Sequence, residues 1–232
     1  MTIEISIIGA INEVSADEWN TLVDDDNPFA RFEFLDALEQ YDCVGQTYGW
    51  LPQHIIVKEN NKLIGASPMY LKNNSYGEFV FDWAWADAYH RSGLEYYPKL
   101  VTSIPYTPAT GQRFLISVQE RYKEISNIII NAAIQHAKRL GVSSMHWLFP
   151  DERDTEQLQQ QKIILRPGCQ FHWEIKNYND FLLKESHQVH TKTGQVTARL
   201  WIYDIVVNTT FIIPYFNFSC FDEVRSCICL CC

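Results

Sequence analysis

Apolar and polar residues alternate from Thr2 to Gly9 (TIEISIIG), the two-residue period of a strand with one buried face. Ser15-Ala-Asp-Glu18 then has the spacing of a capping box and predicts a short helix through Trp19 and Leu22. Asn27-Pro28 is expected to cap and open a second helix, on which Phe29, Phe32, Leu35 and Leu38 recur at helical spacing. HIIVKENNKLIGASPMYLK reads as a hairpin turning at Asn60-Asn61, residues that tolerate the positive φ of a tight turn. EFVFDW predicts a third strand, with Phe79, Phe81 and Trp83 on one face and Val80, Asp82 and Ala84 on the other.

Beyond it, Asp87 to Gly93 reads as one capped helical turn and RFLI (Arg113 to Ile116) as a strand. The longest helix is expected from about Gln119 to Leu140. It buries Ile125, Ile128, Ile129, Ala132, Ala133, Ala137 and Leu140 and ends on Gly141. MHWLF predicts a strand and DERDTEQLQQQ a mostly exposed helix; IILRPGCQFHWEI predicts a hairpin turning at Pro167-Gly168. The order is β-α-α-β-β-β, an aromatic-rich insertion, then α-β-α-β-β, an α/β (α+β) mixed sheet with helices on both faces. This order resembles the N-acyltransferase superfamily often called GNAT.

Composition narrows the function. Of 232 residues 47% are hydrophobic and 20% charged, a folded composition, and the net charge of -9 argues against broad nucleic-acid binding. The start of the chain lacks the positive n-region of a signal peptide. The longest apolar approach, IYDIVVNTTFIIPYF, is interrupted by Asp204, Asn208 and Pro214, so no membrane span is expected and a cytoplasmic location is. Of seven cysteines, Cys43 and Cys169 stand apart, and Cys220, Cys227, Cys229, Cys231 and Cys232 crowd the end. That spacing suits neither a disulfide framework nor a tetrahedral zinc site, so no metal is expected. Nucleophile elbow, HExxH, P-loop and Rossmann fingerprint motifs do not occur, and no cofactor is expected.

Acetyltransferases of the resembled superfamily hold the coenzyme A pyrophosphate on a glycine-rich loop where the long helix begins. Here that place is ISVQERYKE (Ile116 to Glu124), without glycine and with Glu120 in it. Acetyl-CoA in the usual pose is not expected. The blocks Asp26-Asn-Pro-Phe29, Phe34-Leu-Asp-Ala-Leu38, Gly65-Ala-Ser-Pro-Met-Tyr-Leu-Lys72 and Tyr76 to Asp87 carry a closer resemblance. It continues through Tyr96-Tyr-Pro-Lys-Leu100, Pro105-Tyr-Thr-Pro-Ala-Thr-Gly111 and Gln170-Phe-His-Trp-Glu174. In order and content they resemble FemAB-like bacterial proteins of peptidoglycan biosynthesis or recognition, over about Asp17 to Leu183. That family includes two-copy enzymes that take amino acids from aminoacyl-tRNA, so the resemblance implies an acyl or aminoacyl donor, aminoacyl-tRNA among them. A small-molecule or peptide acceptor is implied with it.

Eight aromatic residues fall between Phe79 and Tyr106. They fill a core, with Asp82 or Asp87 as a helix cap, or they line a groove for an extended ligand. In the second reading Trp83, Trp85, Tyr89, Tyr96, Tyr97, Tyr106 and Thr107 form the groove. Asp82 and Asp87 give carboxylates, and Lys99 gives positive charge. His172, beside Glu174 on the polar side of its strand, is either solvent-facing or the proton acceptor for an attacking amine.

The text changes after Lys184, where the helical repeat is lost. The expected organisation is a domain over 1–183 and an atypical tail over 184–232, either a divergent extension or an out-of-frame end. With one copy of the fold, the expected function is an acyltransferase-like protein, truncated and inactive. The rival is a binding module that recognises a cell-wall precursor or peptide without chemistry.

Overall fold

A computed structural model of the chain describes residues 2–24, 27–80, 82–171 and 205–214, with backbone alone for 167–171 and 205–214. Strand β1 (Ile3–Ile8) leads through a 3-10 turn at Ile11–Glu13 into α1 (Ala16–Asn20). A second 3-10 turn, Pro28–Ala30, precedes α2 (Phe32–Gln40). Then follow β2 (Trp50–Pro52), β3 (His54–Glu59), β4 (Lys62–Ser67) and β5 (Met69–Lys72). After α3 (Trp83–Arg91) come β6 (Lys99–Thr102), β7 (Leu115–Ile116), α4 (Tyr122–Leu140) and β8 (Ser144–Trp147). The order ends with α5 (Glu152–Gln160), β9 (Ile164–Phe171) and β10 (Ile205–Pro214).

Four strands in the order β1-β3-β4-β7 make one sheet. A second sheet runs β2-β5-β6-β8 and on to β10; its β6-β8 pair is parallel, with Leu100 opposite Met145 and Thr102 opposite Trp147. Strand β10 pairs antiparallel with β8, Phe211 opposite Trp147. Two compact units divide the chain: Met1–Arg166 with Thr209–Cys232, and Pro167–Asn208. Among the described residues the second unit contains only the end of β9 and the start of β10.

Alternation along the strands explains the core. Ile55 and Val57 of β3 meet Ile125, Ile129 and Ala133 of α4, and Leu100, Met145 and Trp147 of the second sheet join the same cluster. Ile56 of β3 points the other way, into a cluster with Trp19 of α1 and Leu35 of α2. Strands β3 and β4 of the first sheet are thus buried on both faces, while its edge strand β1 is largely exposed. The second sheet has one apolar face against α4 and one polar face, where Lys72, Lys99, Ser144 and His146 are all buried.

The hairpin at Asn60-Asn61 forms as expected, both residues with positive φ, and Gly141 ends α4 in the left-handed conformation. Other expectations are corrected. Ser15 is the N-cap of α1 but makes no side-chain cap bond. Pro28 opens a 3-10 turn, and Arg31, in extended conformation, separates it from α2. Leu140, expected on the buried side of α4, is 41% exposed in its last turn. EFVFDW is not a strand: Phe79 has φ 57°, and Asp82 starts a helix by accepting from the Trp85 and Ala86 amides. Trp83 to Arg91 contains three alanines at 84, 86 and 88, the best helix formers, and their spacing imitates strand alternation. Helix α5 buries Asp154, Gln157 and Leu158. Backbone at Pro167-Gly168 stays within β9 and makes no turn.

Candidate functional site

Beneath α3, the polar face of the second sheet holds a charged cluster. Lys99 opens β6 and is 0% exposed; its Nζ donates to Asp82 Oδ2 at 2.5 Å, Glu78 Oε2 at 2.8 Å and Ser75 Oγ at 3.0 Å. Tyr96 donates its hydroxyl to Asp82 Oδ2 at 2.7 Å, and the Tyr97 hydroxyl shares a 2.8 Å bond with Ser75. Lys72, beside Lys99 across the β5-β6 pair, stacks its ammonium 3.8 Å from the Trp50 ring and donates to the Tyr76 carbonyl at 3.1 Å. Burial pulls Lys72 down to about 7 and pushes Glu78 above the ordinary carboxylate range. Burial also acts upward on Asp82, but the Lys99 ammonium reverses it and leaves the carboxyl low. His146 shares a 2.9 Å bond with Ser144, and burial, helped by Lys99, holds its imidazole neutral.

The structure therefore brings Asp82, Lys99, Tyr96 and Tyr97 together, closed from solvent except at the half-buried Tyr97. Tyr89 is buried with its ring 5.2 Å from that of Tyr96. Trp85 packs under the Arg166 guanidinium at 4.8 Å. Trp83 is 62% exposed, and Asp87 pairs with Arg91 on the outer side of α3 at 3.1 Å. Tyr106 belongs elsewhere: its ring lies 5.7 Å from Trp50 and its hydroxyl donates to the Cys43 carbonyl at 2.7 Å. Thr107 donates to the Pro105 carbonyl of its own loop. His172 and Glu174 lie outside the described residues. Glu78 belongs to a block that carried the family resemblance, but Ser75 and His146 gave no sequence signal, since nothing local marks them as neighbours of a buried lysine.

A different feature is open to ligands. A cleft of about 300 Å³ is lined by Asp24, Asn27, Pro28, Phe29, Ala109 to Gln112 and Asp151. Residues 109–112 follow β6 and Asp151 follows β8, so the cleft sits beyond the carboxyl ends of the parallel pair, where open α/β sheets bind ligands. Its wall is stiff. Arg113, 1% exposed, donates to the carbonyls of Ala109 (2.7 Å), Gly111 (3.1 Å), Gln112 (2.8 Å) and Leu148 (2.7 Å). Gln112 accepts the Asp24 amide, and the Asp151 amide donates to the Gly111 carbonyl. A Cβ on Gly111 would lie 2.9 Å from Asn27 Nδ2, so the wall and the Asn27 loop approach closely only because this residue is glycine. Asn27 Nδ2 has no acceptor among the described residues. Phe29, Asn27 and Gly111 belong to the blocks that carried the family resemblance; Asp24, Gln112 and Asp151 had no sequence signal as site residues.

The start of α4 does not fit a coenzyme A pyrophosphate. A 3-10 turn, Gln119–Arg121, precedes it, and Glu120 and Glu124 stand in the first turns. Arg121 is held between Glu59 (3.0 and 3.1 Å) and Glu124 (2.9 Å). Among the described residues no group of three or more His, Cys, Asp or Glu is placed to hold a metal ion. No described helix is long and apolar enough to cross a membrane.

The arrangement is that of an N-acyltransferase fold. A polyamine N-acetyltransferase from Drosophila melanogaster is similar over 92% of this chain and 100% of that one, with TM-score 0.51 and 11% identity. A probable acetyltransferase from Staphylococcus epidermidis covers 93% of this chain and 100% of its own, with TM-score 0.48 and 9% identity. No curated protein matches the sequence. The FemAB-like family, described as peptidoglycan biosynthesis/recognition, matches residues 10–190, and the chain belongs to that family.

Proposed function

We propose that this chain seats a primary amine of a cell-wall precursor peptide in the cleft beyond β6 and β8, for acyl or aminoacyl transfer to that amine. The carrying observation is the cleft lining: Asp24 and Asp151, each with a partner of its own, bring two carboxyl groups to the cleft that the Phe29 ring also lines, and Asn27 Nδ2 has no acceptor among the described residues. Two carboxylates suit an ammonium, and the amide donor suits a carbonyl oxygen near it. In the transfer step the amine nitrogen attacks the carbonyl carbon of an activated ester. The ammonium has by then given one proton to a base, for which the sequence offers His172 with Glu174 beside it; a C–N bond forms, the ester C–O bond breaks, and the second proton shed by the nitrogen leaves with the alkoxide. Family resemblance implies aminoacyl-tRNA as a donor. Asp82 and Lys99 act in this reading by fixing α3 and the Tyr96-Tyr97 segment against the sheet.

A second reading, recognition without turnover, is favoured by the locking of Asp82 and Lys99 against each other out of solvent. It also accommodates a chain in which residues after Lys184 replace part of an ancestral catalytic cleft. Calorimetry with Nα-acetyl-L-lysine methylamide tests the shared part. The Asp24→Asn/Asp151→Asn double variant is expected to weaken binding at least tenfold, about 1.4 kcal/mol; unchanged affinity sinks the cleft assignment. Mass spectrometry of the lysine compound after incubation with an aminoacyl ester separates transfer from recognition.

A further inference from the structure

Asp154 lies 0% exposed on α5, one turn after Asp151. Its Oδ2 accepts the backbone amides of Arg113 at 2.5 Å and Phe114 at 3.1 Å, and its Oδ1 accepts the Tyr122 hydroxyl of α4. Its own amide donates to Asp151 Oδ1 at 2.8 Å. One carboxyl thus fixes the backbone of Arg113, whose guanidinium grips the 109–112 wall, and its helix turn fixes Asp151 on the same cleft. We propose that Asp154 is the positioning residue of the cleft, so that ligand binding there follows the protonation of this one buried side chain.

The direction follows from the contacts. Three donors converge on the carboxyl, and hydrogen bonds to an ionised acceptor are the stronger ones. Protonation removes one accepting position and takes from the buried Arg113 cation the larger of its two neighbouring negative charges, leaving Asp151. The other charged groups facing this junction are Asp151 and Arg153 of α5, the latter stacked 3.4 Å from the Tyr122 ring. Burial, reinforced by Asp151, pushes Asp154 up to about 7, while Tyr122 and the two amides oppose the rise. The switch therefore falls at neutral pH, far from the range where an exposed carboxylate titrates.

The inference rests on the cleft as ligand site, and its test reads the wall separately from the ligand. Amide shifts of Gly111 and Asp151, whose N–H groups bond the Phe149 and Gly111 carbonyls, are followed from pH 5.5 to 8.5 in the full chain. In parallel the affinity for Nα-acetyl-L-lysine methylamide is measured; its ammonium stays charged throughout. The expected result is a shared midpoint near 7 and binding about tenfold tighter at pH 8 than at pH 6, the ratio of ionised fractions. Asp154→Asn is expected to flatten both curves at the low-pH value. Tyr122→Phe, which removes one bond to the ionised form, is expected to move the midpoint upward while leaving the fold intact. A Gly111 titration that persists in Asp154→Asn, or that Tyr122→Phe leaves in place, overturns the proposal. If Gly111 titrates through Asp154 but the lysine compound binds at no pH, the positioning role stands and the amine-binding function falls.

Discussion

Lys99 is the residue on which the polar face of the second sheet depends. All three of its ammonium protons are engaged, and Glu78 and Asp82 have no other cation at hydrogen-bond distance among the described residues. Removing one partner of a buried ion pair costs about 3–5 kcal/mol, because the remaining charge stays buried without compensation. Lys99→Met is therefore expected to lower the unfolding free energy by that amount, read as a lowered urea midpoint. Lys99→Met/Asp82→Asn is expected to recover part of the loss, since one stranded charge is gone. Equal destabilisation of the single and double variants would mean that Glu78 alone carries the penalty. The sequence put Asp82, Lys99, Tyr96 and Tyr97 in one short stretch, so their meeting was legible. Their burial was not: nothing in the text distinguishes a solvated lysine from one that opens an interior strand. The cleft residues Asp24 and Asp151 were invisible for a related reason. They are 127 positions apart and join only through the packing of α5 beside the 109–112 wall.

Elements with strong local signals were the ones the sequence located well. The β3-β4 hairpin has two asparagines where positive φ is required, and α4 has an apolar stripe ending on glycine. At Gly141, φ is 65° and a Cβ would meet nothing within 4 Å, so the penalty for a side chain there is purely conformational. Gly141→Ala is expected to destabilise by about 1 kcal/mol, read as a lowered melting midpoint with activity and ligand binding unchanged. A neutral result would show that α4 does not end in the left-handed conformation. Elements with ambiguous signals were misread. In α3 the alanines fit either period, and the outcome was decided by Asp82 and Tyr96, whose partner Lys99 belongs to another element. Strand β6 is short and opens on a lysine, which hid it, yet it is the strand that aligns both the charged cluster and the parallel pair beneath the cleft.

At the scale of the molecule, charge limits the choice of donor. Asp and Glu number 28 against 19 Lys and Arg, and the net charge is -9. Several arginines on the described surface are already engaged: Arg121 with Glu59 and Glu124, Arg91 with Asp87, and Arg31 with Glu33. Such a surface attracts a cationic acceptor and repels a polyanion, and both effects weaken within the roughly 8 Å screening length of physiological salt. An amine-bearing peptide is thus expected to bind more weakly as salt is raised. Transfer RNA meets the opposite field, and its binding needs several phosphates neutralised by Lys or Arg. The chain alone is expected to give no retarded complex with uncharged tRNA at about 150 mM salt, a concentration at which non-specific binders fall to 10⁻⁴–10⁻⁶ M. A complex stable under those conditions, and weakening steeply as salt rises, would reveal a basic face on the chain and would make aminoacyl-tRNA the donor to test first. Its absence would direct the search to a smaller activated ester, one that can approach an acidic cleft without bringing a phosphate backbone with it.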